Sequence, residues 1–190
     1  MSKLLERSVL WLTRTRAFES WLRWMAARGS LRLIYRTEDD ADYVRYLDRY
    51  YIFRLEWRGR GLFAFFLHRF WASDQDGVHD HPWPNASFVL TGGYHEEGAD
   101  GVKRWHGPGA VKLRGAELQH RLTIDPAQRG QVWTLFAHGP KWRRWGFVRD
   151  GQWRAAMDSD HPPLIEGIFL PRIIGNNVDS SKVVDNASEG

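Results

Sequence analysis

Residues 77–97 read GVHDHPWPNASFVLTGGYHEE. His79 and His81 stand one residue apart, with Pro82-Trp83-Pro84 directly behind them and a β-prone run behind that. In an extended segment, residues i and i+2 project to the same side. Two imidazoles on one face are half of a metal site, because imidazole suits zinc, copper, iron and nickel. The other half must come from a distant part of the chain, through a fold that brings strands back beside this one.

Such a fold is written on both sides of the stretch. From Tyr51 the chain runs through YIFRLEW, LFAFFLHRF, ASFVLTGGYHEE, VKRWH, AVKLRG, HRLTID, QVWTLFAHG and RRWGFVRDGQW. These are short aromatic and β-branched segments punctuated by Gly, Pro or Asp at regular spacing. That pattern predicts an all-β antiparallel sandwich or barrel over residues 51–155. Residues 1–50 are expected to form a helical extension. In 2–28, Leu4, Trp11, Phe18 and Met25 recur every seven positions with Leu22 beside them, and Gly29 supplies a stop, so one amphipathic helix is predicted. It packs on the barrel, or it lies at a membrane surface with Trp21 and Trp24 in the interface. The run TEDDADYVRYLDRYY, from Thr37, predicts a second short helix with Thr37 as N-cap and acids in its first turn. Residues 156–190 read as a C-terminal extension whose tail from Asn176, NNVDSSKVVDNASEG, is polar enough to be disordered.

Composition narrows the chemistry. The 190 residues suit one domain with appendages, and 43% hydrophobic content supports a core. Eleven tryptophans point to an aromatic core or an aromatic-lined cavity. The absence of cysteine removes disulfides, thiolate ligands and a cysteine nucleophile, and is compatible with the cytosol. The formal net charge is +4, with basic residues spread along the chain. An anionic partner fits that balance, while no nucleic-acid-reading module is visible. No run approaches the ~18 apolar residues of a membrane span, and the arginine-interrupted N-terminus lacks a secretory apolar region. No stable membrane insertion and a cytoplasmic location are therefore expected.

His120 is the candidate third ligand. It opens HRLTI, where His120, Leu122 and Ile124 alternate to one side, and a hairpin through Gly92-Gly93 and VKRWH separates it from the first pair. At this point the chain resembles the cupins. Their first motif is Gly, five residues, His-x-His, three or four residues, Glu, six residues, Gly. Here it reads His79-Asp80-His81, three residues, Asn85, six residues, Gly92, with Gly77 displaced toward the histidines. Their second motif is Gly, five residues, Pro-x-Gly, two residues, His, three residues, Asn. Here it reads Gly109, five residues, Gly115-Ala116-Glu117, two residues, His120, with Ile124 at the last position. Three histidines and two framing glycines match in register. The motif's Glu, Pro, inner Gly and Asn do not.

The resemblance, over roughly Tyr51 to Trp153, implies a double-stranded β-helix, that is, a jelly-roll barrel. It implies a divalent ion on His79, His81 and His120, Fe(II) first, with Zn, Mn or Ni as alternatives. It also implies an oxygenase-like reaction on a small anionic molecule, by similarity to three-histidine cupins such as the thiol dioxygenases. Asn85 stands where many cupins carry a carboxylate ligand; Glu96 or Glu97 could restore one. A 2-oxoglutarate-dependent hydroxylase is disfavoured, because its usual His-x-Asp/Glu pattern would need an acid at position 81. A metal-assisted sugar-type isomerase or epimerase, and a barrel that only binds a small ligand, remain as alternatives. Since many cupins dimerise by sheet extension, a homodimer is expected.

Further site residues follow from chemistry. Arg143 and Arg144, beside Trp145, could clamp an anion bidentately. Trp83, wedged between prolines, and Trp105 are candidate cavity walls, and Tyr94 is a candidate proton donor. Asp74, Asp76 and Asp80 shape the loop around the pair, or Asp76 or Asp80 orients a ligand imidazole from behind. His68, His95, His106 and His138 are expected at the surface or rim.

Overall fold

The structure is a computed structural model that describes residues 3–38, 42–58, 60–74, 77–156, 165–168 and 183–184. It is built from two β-sheets facing one another, with two helices on the outer side of the larger. That sheet has eight strands. They are β1 (Leu31–Glu38), β2 (Asp42–Trp57), β3 (Arg60–Phe70), β4 (Asn85–Thr91), β7 (Val111–Arg114), β9 (Val132–His138), β12 (Ile165–Ile168) and β13 (Val183–Val184). Its order is β12-β1-β2-β3-β9-β4-β7, with β13 pairing on β2. The smaller side comprises β5 (Tyr94–Gly98), β6 (Lys103–His106) and β8 (His120–Thr123), in the order β6-β5-β8, and the hairpin β10 (Gly146–Arg149) with β11 (Gln152–Ala155). Bridges from His79 to His120 and to Phe147 tie the triplet to the hairpin. The antiparallel strands crossing between two facing sheets make a double-stranded β-helix.

The alternation read along each run sorts its side chains between two faces. In β4, Asn85, Ser87, Val89 and Thr91 are buried and the residues between them less so. Ile34, Leu47, Phe70, Val89, Tyr94, Ile124 and Val132 form the core between the sheets. A second core lies on the outer face, where Phe18, Trp21, Leu22 and Met25 pack on Leu31, Leu33, Tyr50, Leu67 and Trp133. Each such buried side chain contributes on the order of 1.5–3 kcal/mol. The two framing glycines are required by the backbone, for Gly92 and Gly109 have φ of 65° and 88°, a left-handed region costly for other residues.

Four expectations are corrected. The helix over 2–28 is two helices, α1 (Lys3–Leu12) and α2 (Arg16–Ala27). Thr15 caps the second, its hydroxyl accepting from the Phe18 N–H at 3.2 Å. The break rotates the sevenfold stripe, so Phe18 and Met25 pack while Trp11 is 66% exposed. Trp21 likewise packs on the core and only Trp24 of that pair is exposed. No helix among the described residues is long and apolar enough to cross a membrane.

The expected helix from Thr37 is instead the β1–β2 hairpin, with Glu38 opposite Asp42. Glu38 and Asp42 thus lie in paired strands rather than in a first helical turn, and residues 39–41 lie outside the described residues. The aromatic-rich DYVRYLDRYYIFRLEW pairs on both edges, and those ladders override its local helical pattern. Consequently the sheet begins at Leu31, not at Tyr51. In the tail, Val183 and Val184 pair with Tyr43 and Val44. The remaining residues expected to be disordered from Asn176 lie outside the described residues.

Candidate metal centre

Residues 78–81 run as an extra strand between β8 and β10. The His79 N–H donates to the His120 carbonyl at 2.9 Å, and the His120 N–H returns to the His79 carbonyl at 2.8 Å. On the other side, the Val148 N–H donates to the Val78 carbonyl at 2.8 Å and the Asp80 N–H to the Gly146 carbonyl at 3.0 Å. This double anchoring fixes the two histidines of the pair against the distant third. Their ligating nitrogens all lie within 4.8 Å of one another.

The electrostatics keep two of the imidazoles, His81 and His120, neutral. Burial first, then the neighbouring His79 and His120 and the Arg114 and Arg49 guanidiniums, hold His81 well below the usual histidine range. Burial, His79 and Arg114 lower His120 to about 4. Charging His81 or His120 would place it beside other rings and guanidiniums, so both present lone pairs, not protons, at pH 7. His79 Nδ1 lies 3.4 Å from the Gly77 carbonyl oxygen. His81 Nε2 and His120 Nε2 are 3.2 Å apart. Two nitrogens each ~2.0–2.1 Å from one cation, at about 90–110° to each other, would lie roughly 2.9–3.4 Å apart. The donor set therefore fits a divalent transition metal.

The trio forms part of the wall of a cavity of ≈ 300 Å³ between the sheets. Ile34, Leu47, Phe70, Leu122, Phe136 and Trp145 make its lining largely apolar. Trp83 also lines it, its ring 5.2 Å from His81. Tyr94 lines it with a hydroxyl 3.3 Å from Ser87 Oγ and 3.4 Å from an Arg114 nitrogen.

Other sequence candidates lie elsewhere. Glu96 does not line the cavity: its Oε1 accepts from Arg114 Nε at 2.6 Å, and its Oε2 faces His106 and Lys112 at 3.0 and 3.4 Å. Its carboxylate is saturated by cations and stands apart from the trio. Asn85 lines the cavity, but its Oδ1 faces Arg114 at 3.4 Å. Trp105 is 49% exposed and stacks near His95 on the outer side of the small sheet, so it is no cavity wall. Arg143 and Arg144 do not line the cavity either. Arg143 is a structural partner of Asp80, its Nη1 donating to Oδ2 at 2.7 Å, and Arg144 is exposed. Asp80 is nearly inaccessible and also accepts from the Gly146 N–H and Trp153 Nε1, both at 2.8 Å. It thus orients the ligand loop through its backbone, not by touching an imidazole. Asp76 lies outside the described residues.

The sequence reading misplaced His68 and missed Arg49, both of which line the cavity. His68 is buried, not at the rim. It stacks on Phe66 and Phe136 and accepts from Arg49 Nε at 3.3 Å. Burial and Arg49 hold it well below its usual range, hence neutral. Arg49 and Asp74 share that wall; the Asp74 carboxylate accepts from the Tyr46 hydroxyl and from the Leu122 N–H at 2.6 Å. The only sequence signal for Arg49 was a charged residue within an aromatic, strand-compatible run, which the helical reading concealed.

No protein-family model matches the chain, and no curated protein does. Among solved structures it is similar to a cupin-2 conserved barrel domain protein from Rhodopseudomonas palustris, at 9% identity over 63% of this chain and 77% of that one, TM-score 0.47. A cupin-2 domain protein from Rhodospirillum rubrum aligns at 12% identity over 63% and 75%, TM-score 0.47. A polyketide cyclase from Streptomyces resistomycificus aligns at 18% over 61% and 75%, TM-score 0.42. At such identities and scores the likeness speaks to no activity. The two-sheet barrel, with His79, His81 and His120 brought together from two distant segments at its inner wall, has the double-stranded β-helix arrangement that the sequence's resemblance to the cupins implies.

Proposed function

We propose that this chain is a metal-dependent enzyme, an Fe(II) oxygenase that acts on a small anionic molecule bound in the central cavity. The observation that carries the reading is the convergence of three imidazoles on the wall of a largely apolar cavity between the sheets. His79, His81 and His120 would hold the ion. Three ligands from one side leave positions open toward the cavity. Iron bound there would supply the means to activate dioxygen beside the organic substrate.

The charges favour an anion. Arg114 is matched by Glu96 behind it, so a divalent ion on three imidazoles, with Arg49 in the same wall, leaves net positive charge uncompensated. Arg49 takes the part that Arg143 and Arg144 cannot. Its Nε is used by His68, and among the described residues no carboxylate pairs with it, which leaves the outer nitrogens for a substrate carboxylate. Phe70, Phe136 and Trp145 would pack the apolar body and keep water from the reacting atoms. Tyr94 Oη, beside the Arg114 guanidinium, is the proton donor nearest to hand. The carboxylates near the cavity are engaged, Asp74 by Tyr46 and Leu122 and Glu96 by Arg114. A reaction that turns on a free carboxylate base, such as epimerisation, therefore has less to work with than an oxygenation.

The test is elemental analysis of protein purified without a histidine tag, followed by anaerobic Fe(II) loading and electron paramagnetic resonance with nitric oxide as an oxygen surrogate. One iron per chain and a nitrosyl signal are expected, with both lost in His79→Ala and His120→Ala. Arg49→Gln should retain the metal and lose affinity, by tenfold or more, for small arylcarboxylates measured by calorimetry. Stoichiometric zinc with no nitrosyl signal would refute the oxygenase and favour the isomerase.

A further inference from the structure

At the end of the barrel away from α2, the β2–β3 ribbon runs on past its neighbours. Strand β9 ends at His138, opposite Ala64, so the pairs Leu55–Phe63, Glu56–Gly61 and Trp57–Arg60 have no third strand beside them among the described residues. Three pairs at about 3.3 Å each make a projection of roughly 10 Å. Its side chains are not those of a solvated turn. Phe53 is 53% exposed, Leu55 47%, Trp57 63% and Phe63 38%. Alternation puts Phe53, Leu55 and Trp57 on one side of β2. Arg54, Arg58 and Arg60 stand among them, and Glu56 is the only acid between Ile52 and Phe63. Arg54 pairs with Glu56 at 3.1 Å, and the Arg58 guanidinium lies 4.9 Å from the Trp57 ring. A second segment, distant in sequence, comes to the same end. The chain leaving β9 turns along residues 82–84, where the Gly139 N–H donates to the Pro84 carbonyl and the Trp142 N–H to the Pro82 carbonyl, both at 3.0 Å. Gly139 shares a groove with Phe63 at the root of the ribbon. Trp142 is 62% exposed, and Lys141 beside it is exposed.

We propose that this end of the barrel docks on the surface of an anionic lipid bilayer, ribbon tip first. Three features select that occupant. First, tryptophan is the side chain best suited to a water–membrane boundary, its ring apolar and its N–H polar, and Trp57 and Trp142 stand exposed on the two segments. Second, Arg54, Arg58, Arg60 and Lys141 outnumber Glu56 and Glu117, the acid on the neighbouring loop after β7. Basic side chains around apolar tips match phosphate headgroups, whereas a two-fold contact between copies would set arginine against arginine. Third, a projection of roughly 10 Å reaches the boundary between headgroups and acyl chains, where interfacial elements lie about 5–10 Å deep. It is far short of the ~30 Å apolar layer, so the contact is peripheral. Helix α2 packs near Tyr50, seven residues or roughly 23 Å along β2 from Trp57, so its exposed Trp24 belongs to another surface.

The contact also bears on the site. Pro82, which holds the Trp142 loop, directly follows His81, and Trp83 lines the central cavity. Docking sets the bilayer against the loop that carries two of the three imidazoles. The inference stands apart from the proposed reaction, because the contact needs neither metal nor substrate.

The experiment is co-sedimentation of the full chain with vesicles of phosphatidylcholine alone and of phosphatidylcholine with one-third phosphatidylglycerol. The wild type should bind the anionic vesicles and not the neutral ones, and about 0.5 M salt should release it. Arg58→Gln with Arg60→Gln should weaken binding about 25-fold, at roughly fivefold for each guanidinium near the surface. Trp57→Ser should weaken it about tenfold or more with the thermal melt retained, because the side chain stands at an exposed tip. Since the chain has no cysteine, a nitrobenzoxadiazole label on Glu56→Cys reports the tip alone. Its emission should shift to the blue on anionic vesicles, while the same label on Ser20→Cys, exposed on α2, should not shift. A wild type that stays in the supernatant at millimolar lipid overturns the inference, even if it dimerises or is retained by duplex DNA. So does vesicle binding that Trp57→Ser and the paired arginine variant leave intact, or a blue shift at Ser20→Cys alone.

Discussion

Asp80 sits between two proposed metal ligands without touching either ring, so its removal separates support of the loop from ligation. Its carboxylate accepts from Arg143 at 2.7 Å, from the Gly146 N–H at 2.8 Å and from Trp153 Nε1 at 2.8 Å. Three bonds to an ionised acceptor, at about 1.5–3 kcal/mol each, give an upper range of roughly 4.5–9 kcal/mol. The Arg143 side chain is 22% exposed, so its freed guanidinium recovers part of its hydration when Asp80 is lost. The two N–H groups are deeper and recover less. The net cost of Asp80→Ala should then be about 3–5 kcal/mol, the range for breaking a buried pair. In a chain of this size that lowers the melting temperature by about 10–15 °C. Metal affinity should fall roughly 10–100-fold, because the segment carrying His79 and His81 loses its anchor to β10. Asp80→Asn, which keeps the volume and one acceptor, should fall between the two. Calorimetric melts of the metal-free proteins and metal titrations of each provide the readings. A metal-free Asp80→Ala melting within 3 °C of the wild type would refute this account of the loop.

Metal binding to the folded trio should stabilise the chain by about 2.7 kcal/mol at one hundred times the dissociation constant, a rise of several degrees in the melt; His81→Ala should abolish the rise. Gly146→Ala should cost about 3 kcal/mol or more in a urea melt, because its Cβ would lie 2.0 Å from the Arg154 carbonyl oxygen, a backbone atom that cannot step aside. For Glu96, burial alone would raise the pKa, but the Arg114 hydrogen bond and charge outweigh it and the net shift is downward. A folded pKa below the unfolded value of about 4.3 adds stability that is fully present above that value and is lost as pH falls through the folded one. Glu96→Gln should therefore be less stable than the wild type at pH 7 and converge with it as pH falls through the folded value; a gap in urea stability that stays constant with pH would contradict this.

What the sequence determined by itself was whatever depends on spacing along one segment. The alternation of the runs from Tyr51, the left-handed turns at Gly92 and Gly109, and the two imidazoles of His79 and His81 are local facts with local physical causes. The register of His120 to Gly109 was legible for the same reason. Tertiary structure decided everything that depends on partners across the chain. DYVRYLDRYYIFRLEW is a strand because β1 and β3 offer ladders on both edges, a context that an N-cap and an acidic turn cannot reveal. Glu96 became the counter-ion of Arg114, Arg143 became the counter-ion of Asp80, and Arg49 was left in the cavity wall with no carboxylate partner among the described residues, because folding pairs charges by proximity in space. Charge type can be read from a sequence, whereas which charge is left without a partner is settled only when the sheets close.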